Sequence, residues 1–181
     1  MKALNRSDFG LIIVALAALL MAGSPLSFAA DTSEIESASK AALAKLVETN
    51  PAAAALEKKA EAVLVFPSIL KAGLIIGGQG GNGALFVDGQ AVAYYNIAAA
   101  SYGLQAGAQH FGYAMFLMTD KAREYLDSSD GWEVGVGPSI VVVDDGVGKS
   151  LTTTTAQDDV YAFIFSQTGI MAGLGVQGSK I

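Results

Sequence analysis

The sequence contains no cysteine and only one histidine, His110. Without cysteine the chain has no disulfide, no lipid-anchoring cysteine, no thiolate nucleophile and no cysteine metal cluster. A single histidine excludes a metal site built from several histidine ligands. Stability must therefore come from packing, and we expect no cofactor and no metal site built from cysteine or several histidines.

Long hydrophobic runs are also missing. The apolar run Leu11–Ala22 is shorter than the roughly 20 residues that a membrane-spanning helix needs. Lys2 and Arg6 precede it, and small residues follow at Ser27 and Ala29, which is the pattern of a secretory signal peptide. We therefore expect residues 1–29 to be a signal peptide cleaved after Ala29, residues 30–181 to form a single domain, and the protein to be periplasmic or secreted.

Positive charge is scarce, because 11 Lys and Arg stand against 17 Asp and Glu, for a net charge of −6. An acidic surface repels the phosphate backbone of nucleic acids. We expect no nucleic-acid partner.

Glycine divides the rest of the chain into two parts. Residues 30–72 contain none and are rich in Ala, Glu, Lys and Leu, which favour helix. Ser33 and Glu36 form a capping box for a helix that ends near Glu48. Asn50-Pro51 then predicts a second helix that reaches about Lys59.

From Ala62 onward, short β-prone segments alternate with glycine-rich turn signals. Asp88-Gly89 and Asp144-Asp145-Gly146 predict hairpins, and Thr119 caps one more short helix, Asp120–Leu126. Glycine inside strands permits sharp bends. The sequence thus predicts an α+β fold: two N-terminal helices on a glycine-rich, strongly curved antiparallel sheet that forms a closed or nearly closed barrel, with one additional short helix. The predicted strands are Ala62–Phe66, Leu74–Ile76, Ala84–Val87, Gln90–Ile97, Gly103–Ala108, Gly112–Met118, Trp132–Val136, Ser139–Val143, Ser150–Thr155, Val160–Phe165 and Met171–Val176.

Several motifs resemble catalytic or binding signatures without meeting their requirements. Gly78–Gly83 fits the dinucleotide pattern G-x-G-x-x-G, but a strand and hairpin follow where a helix is required. Val143–Ser150 ends like a P-loop, yet it begins with valine and leads into β-branched residues. His110 could belong to a Ser–His–Asp triad, but the sequence has no G-x-S-x-G nucleophile elbow to present a serine. Because no acid, base and nucleophile come together, we do not expect an enzyme; the Asp-rich turns lack EF-hand spacing, and whether they bind a metal ion stays open.

A set of motifs occurs together and in order along almost the whole chain after residue 33. Val65-Phe66-Pro67 is followed by Lys71-Ala72-Gly73 and the glycines through Gly83. Further on come Ser101–Ala108 (SYGLQAGA) and Gly137-Pro138. The last motifs are Phe165-Ser166 through Gly169, Ala172-Gly173 and Gly178-Ser179. These motifs resemble the SYLF domain family, whose eukaryotic members bind phosphoinositides and in part associate with actin patches, and whose bacterial members are exported.

The resemblance implies an exported, non-enzymatic lipid-binding domain that associates peripherally with phospholipid membranes or a lipid ligand. Lysines suit headgroups, and aromatic side chains with a polar tip suit the membrane boundary. Two alternatives stay open: a structural or self-associating cell-envelope protein, and a small outer-membrane β-barrel. The candidate lipid-binding residues are Lys58, Lys59, Phe66, Lys71, Tyr94 and Tyr95.

Overall fold

The computed structural model describes residues 31–74, 76–128, 139–143 and 158–180, with the backbone alone for residues 101–105 and 170–180. In these ranges the chain is α+β, with three helices and five strands. The helices are α1 (Thr32–Thr49), α2 (Pro51–Glu57) and α3 (Asp120–Ser128), and the strands are β1 (Ala62–Gly73), β2 (Ile76–Val87), β3 (Gln90–Leu117), β4 (Ile140–Val142) and β5 (Val160–Lys180).

The two N-terminal helices begin at side-chain caps. α1 is capped by Asp31, whose carboxylate accepts a hydrogen bond from the Ser33 N–H at 3.0 Å, so the predicted cap at Ser33 is two residues late. α2 begins as predicted, with the Asn50 side chain accepting from two N–H groups of the first turn and Pro51 at its start. Both caps satisfy helix N–H groups that have no intrahelical partner.

The sheet has the order β1-β2-β3-β5-β4. β4 runs parallel to β5, and within the described residues it pairs with no other strand. The predicted closed or nearly closed antiparallel barrel is therefore wrong: the sheet is mixed and open at β4. Local hairpin signals favour antiparallel neighbours, whereas the long connection between residues 142 and 160 permits a parallel pair.

β3 joins three segments that were predicted as separate strands, 90–97, 103–108 and 112–118. Its 28 residues would span roughly 90 Å if straight. Residues 90–102 pair with β2, which is antiparallel to β1, so this half runs in the same direction as β1. Residues 107–117 pair antiparallel with β1 itself. β3 therefore folds back on itself, and Gly107, with φ of 135°, lies where the return begins.

The predicted loop Gly77–Gly83 is part of β2, and the predicted stop at Pro67 is a bulge within β1. β2 lies so close to β1 that a Cβ at Gly83 would stand 2.5 Å from the Val65 carbonyl oxygen and 2.7 Å from the Phe66 ring. Glycine here allows close packing of two strands rather than a loop. The predicted strands 132–136 and 150–155 and the hairpin at 144–146 lie outside the described residues.

The sheet is apolar on both faces. On one, the outer face, α1 and α2 pack on a cluster that includes Phe116 and Phe163, whose rings meet edge to face at 5.3 Å. On the other, the inner face, Ile97 from the first half of β3 and Met115 from the second half share one cluster with Leu126 of α3. Because both halves of β3 contribute to this cluster, the sheet curls around the inner face.

Candidate functional site

Acidic residues are absent from the strands. The Asp and Glu residues of the sequence all lie outside β1 to β5, whereas Lys71 lies in β1 and Lys180 in β5. Within the described residues, the negative charge is thus carried by helices, turns and connections. Of the described parts of the chain, the sheet is where an anionic partner meets least repulsion.

A line of bulges crosses the sheet and divides it. The register shifts between Phe66 and Ile69 in β1, and between His110 and Gly112 in β3, opposite Ser166 of β5 with φ of 50°. Bulges bend and twist a sheet. On one side lies the packed core. The other side, called the distal half, consists of β1 residues 70–73, β2 residues 76–81, β3 residues 98–110 and β5 residues 168–180.

The turn between β1 and β2 is apolar. Gly73 pairs with Gly77, and between them the sequence is Leu-Ile-Ile. Leu74 and Ile76 are each 72% exposed. Turns are normally built from Gly, Asn, Asp and Ser, and large apolar side chains exposed together mark a contact surface. We call Leu74 and Ile76 the apolar tip.

A polar row lies next to the apolar tip, on the inner face. Lys71 of β1 is the register partner of Gln79 in β2 and of Gln109 in β3. Side chains of directly opposed residues have Cβ atoms about 5 Å apart. All three are partly buried. The Gln79 Oε1 atom is buried and finds no hydrogen-bond partner among the described residues.

The structure does not bring the predicted lipid-binding residues together. Lys58 and Lys59 are exposed just after α2. Phe66 is fully buried in the inner cluster, where its ring covers Gly83. Lys71 lies in the distal half, beside the apolar tip.

Tyr94 and Tyr95 point to opposite faces of β3, and each contacts a helix. The Tyr94 hydroxyl donates to Glu36 of α1 at 3.1 Å, and the Tyr95 hydroxyl donates to Asp127 of α3 at 3.2 Å. Partial burial, followed by the charge of Asp127, raises the pKa of Tyr95 to about 12. Burial and then Glu36 likewise raise the pKa of Tyr94. These contacts give both tyrosines a role in docking the helices.

The other motifs that suggested chemistry have simple structural settings. Gly78–Gly83 lies inside β2, which continues to the Asp88-Gly89 turn, so the helix required by a dinucleotide fingerprint does not follow it. The Nδ1 atom of His110 lies 3.4 Å from the Ser68 hydroxyl at the exposed bulge. In the described ranges no three metal-ligating side chains gather. The P-loop-like segment lies outside those ranges beyond Val143.

No helix within the described part of the chain is both long and apolar enough to cross a membrane. Comparison with known protein families finds no match to this chain, and no curated protein is significantly similar to it. The resemblance to the SYLF domain therefore stays a prediction from the motifs.

Four residues of the candidate site were not predicted: Leu74, Ile76, Gln79 and Gln109. The apolar tip has a local signal, an apolar triplet bounded by Gly73 and Gly77. The two glutamines have none, because their proximity to Lys71 depends on strand register.

Proposed function

We propose that the protein is an exported, non-enzymatic lipid-binding domain that associates peripherally with phospholipid membranes through its distal half. The main support is the apolar tip, where Leu74 and Ile76 are each 72% exposed and lie within three residues and five residues of Lys71. An exposed apolar turn next to a cation matches a membrane interface, where acyl chains lie beneath anionic headgroups. Export rests on the signal-like residues 1–29, and N-terminal sequencing of exported protein should find Ala30 first.

The charge distribution supports the same orientation. A protein of net charge −6 is repelled by an anionic bilayer unless a local region of the surface attracts it. β1 to β5 carry no acidic residue, and the acidic residues of the described ranges lie on helices, turns and connections. Binding through the distal half places Lys71 near the headgroups and leaves the acidic residues of the three helices, which pack on the core, away from them.

Lys71 provides the test of this proposal. One lysine near an anionic surface contributes about 1 kcal/mol, and reversing its charge roughly doubles the loss, so Lys71→Glu should weaken binding about tenfold or more. The measurement is co-sedimentation with phosphatidylcholine vesicles that contain phosphatidylglycerol or cardiolipin. Salt should weaken binding of the wild type more than that of the variant, because screening acts on the attraction that the variant has lost.

Lys40→Glu is the matched control, since Lys40 is exposed on α1 and the net charge of the two variants is equal. We expect it to bind nearly as the wild type does. If Lys71→Glu and Lys40→Glu weaken binding equally, the effect is one of net charge and Lys71 has no headgroup role. If the wild type does not bind anionic vesicles even at low salt, the proposed function is wrong.

A further inference from the structure

The polar row has an unusual combination of hydrogen-bonding groups. Lys71 offers only donors, while each glutamine offers an amide with two donors and a carbonyl acceptor. The acceptor of Gln79 is buried without a partner among the described residues. A buried polar atom without a partner is costly, and native proteins keep few of them. A ligand that fits the row must therefore offer a donor to Gln79, and acceptor atoms suit the ammonium group of Lys71.

The surroundings of the row leave room for such a ligand. The inner-face positions next to it on the same strands are small: Gly73 in β1, Gly77 and Gly81 in β2, and Gly107 in β3. Across from Gln79, the register partner in β3 is Ala99. No large side chain from these positions covers the row. Toward the core, Ile69, Ile97 and the partly buried Phe111 of the inner cluster form its apolar neighbours.

The position of the row matches the depth of a headgroup. Lys71 precedes Leu74 by three residues, and Gln79 follows Ile76 by three. Three residues of strand span about 10 Å, which is close to the thickness of the headgroup region on one side of a bilayer, about 5–8 Å. With the apolar tip in the acyl region, the row lies level with phosphates and headgroup hydroxyls.

We propose that Lys71, Gln79 and Gln109 form a headgroup site for a phospholipid whose phosphate carries a hydroxyl-bearing substituent, the chemistry of phosphatidylglycerol. Lys71 binds the phosphate oxygens, the Gln79 carbonyl accepts from a headgroup hydroxyl, and the Gln109 amide donates to the same headgroup. This inference rests on the proposed function, since it assigns headgroup selectivity to the surface that contacts the membrane.

A comparison of two anionic lipids with the same charge distinguishes headgroup selectivity from general electrostatic attraction. Phosphatidylglycerol carries headgroup hydroxyls, and phosphatidylmethanol is an anionic phosphodiester without them. The wild type should bind vesicles containing phosphatidylglycerol about three- to tenfold more tightly than vesicles containing phosphatidylmethanol at equal mole fraction, the range expected for one neutral hydrogen bond. Gln79→Met should lose this preference while keeping the affinity for phosphatidylmethanol.

Gln90→Met is the matched control, because Gln90 is exposed at the start of β3, next to the Asp88-Gly89 turn and away from the row. It should keep the preference of the wild type, and circular dichroism should show that both variants are folded. Equal binding of the wild type to both anionic lipids, with weaker binding to phosphatidylcholine alone, would overturn the headgroup site and leave the proposed function intact. Absence of binding to every vesicle would overturn both.

A soluble headgroup analogue tests whether the ligand of the row is a membrane lipid or a free metabolite. Glycerol 3-phosphate offers the same two hydroxyls on a phosphate monoester without acyl chains, and calorimetry should show far weaker binding to it than to the lipid in vesicles. Saturable binding of glycerol 3-phosphate by a protein that does not bind phosphatidylglycerol vesicles would overturn the assignment of the row to a membrane lipid.

Discussion

Replacing the apolar tip by serine, in the double variant Leu74→Ser and Ile76→Ser, should remove most of the membrane affinity. Full burial of one such side chain contributes about 1.5–3 kcal/mol. Each side chain is 72% exposed in the free protein, and that is the part left to be buried by a membrane. Two side chains then supply about 2–4 kcal/mol, which corresponds to a loss of roughly 30- to 700-fold in the partition coefficient.

The assay is a titration of the protein with vesicles containing phosphatidylglycerol, at one ionic strength, followed by sedimentation. Val92→Ser with Val142→Ser is the matched control, because both valines are 54% exposed and lie outside the distal half. Thermal unfolding should be nearly the same for the tip variant and the wild type, since the tip buries little in the folded protein. If the tip variant and the valine variant bind equally, the tip does not enter the membrane.

Three further predictions concern stability. Gln79→Met removes a buried acceptor that has no partner among the described residues, so it should raise the free energy of unfolding in urea by about 1 kcal/mol. A free energy of unfolding below that of the wild type would mean that the Gln79 side chain has a hydrogen-bond partner in solution. Hydrogen bonds from the Ser139 N–H, and then from the Thr119 hydroxyl, lower the pKa of Asp159. Asp159→Asn should therefore reduce the free energy of unfolding by on the order of 1 kcal/mol at pH 7 after solvent screening. This difference should shrink as the pH falls below about 4 and Asp159 is protonated. An unchanged difference at acid pH would contradict this. The pKa of Tyr95 is raised to about 12, so the stabilisation from its hydroxyl is complete below about pH 10 and declines as the pH rises toward 12. Tyr95→Phe should therefore be less stable than the wild type by about 0.5 kcal/mol at pH 7, and this difference should close in alkali. A difference that does not change with pH would exclude the contact with Asp127 as its source.

The helices could be predicted because their signals are local. Asn50-Pro51 caps α2, and the Thr119 hydroxyl accepts the Ala122 N–H at 3.2 Å at the start of α3, as expected. A cap needs only the few residues next to it. The error at α1 was of the same local kind, since both Asp31 and Ser33 are residue types that cap helices, and Asp31 is the one that accepts an N–H of the first turn.

The strand boundaries were predicted less accurately because glycine can indicate either a loop or close packing between strands. Gly77–Gly83 was predicted to be a loop, yet it forms half of β2, since a side chain at Gly83 would collide with Val65 and Phe66. Close packing between strands is a tertiary property that no local pattern reveals. The parallel pairing of β4 is also non-local, and it overturned the predicted closure.

For the candidate site, the sequence indicated the lysine and not the residues that lie around it in the structure. Lys71 was predicted from the motif around it. Leu74–Ile76 was predicted to be strand because an apolar run usually is one. Ile76 does begin β2, whereas Leu74 lies in the turn that joins β1 to β2. Gln109 is 30 positions from Gln79 in the sequence and meets the same lysine only through the folding back of β3.

The mutual pairing of β1, β2 and β3 also determines how securely these strands are aligned. Strands rich in glycine and alanine carry little side-chain information and readily slip by one or two residues. Here each of the three strands is paired with the other two. If β2 slipped against β1, it would also have to slip against β3, and the pairing of β3 with β1 would no longer be compatible with both. The alignment is therefore specified redundantly, which allows a chain with 21 glycines to maintain the cross-strand row at Lys71.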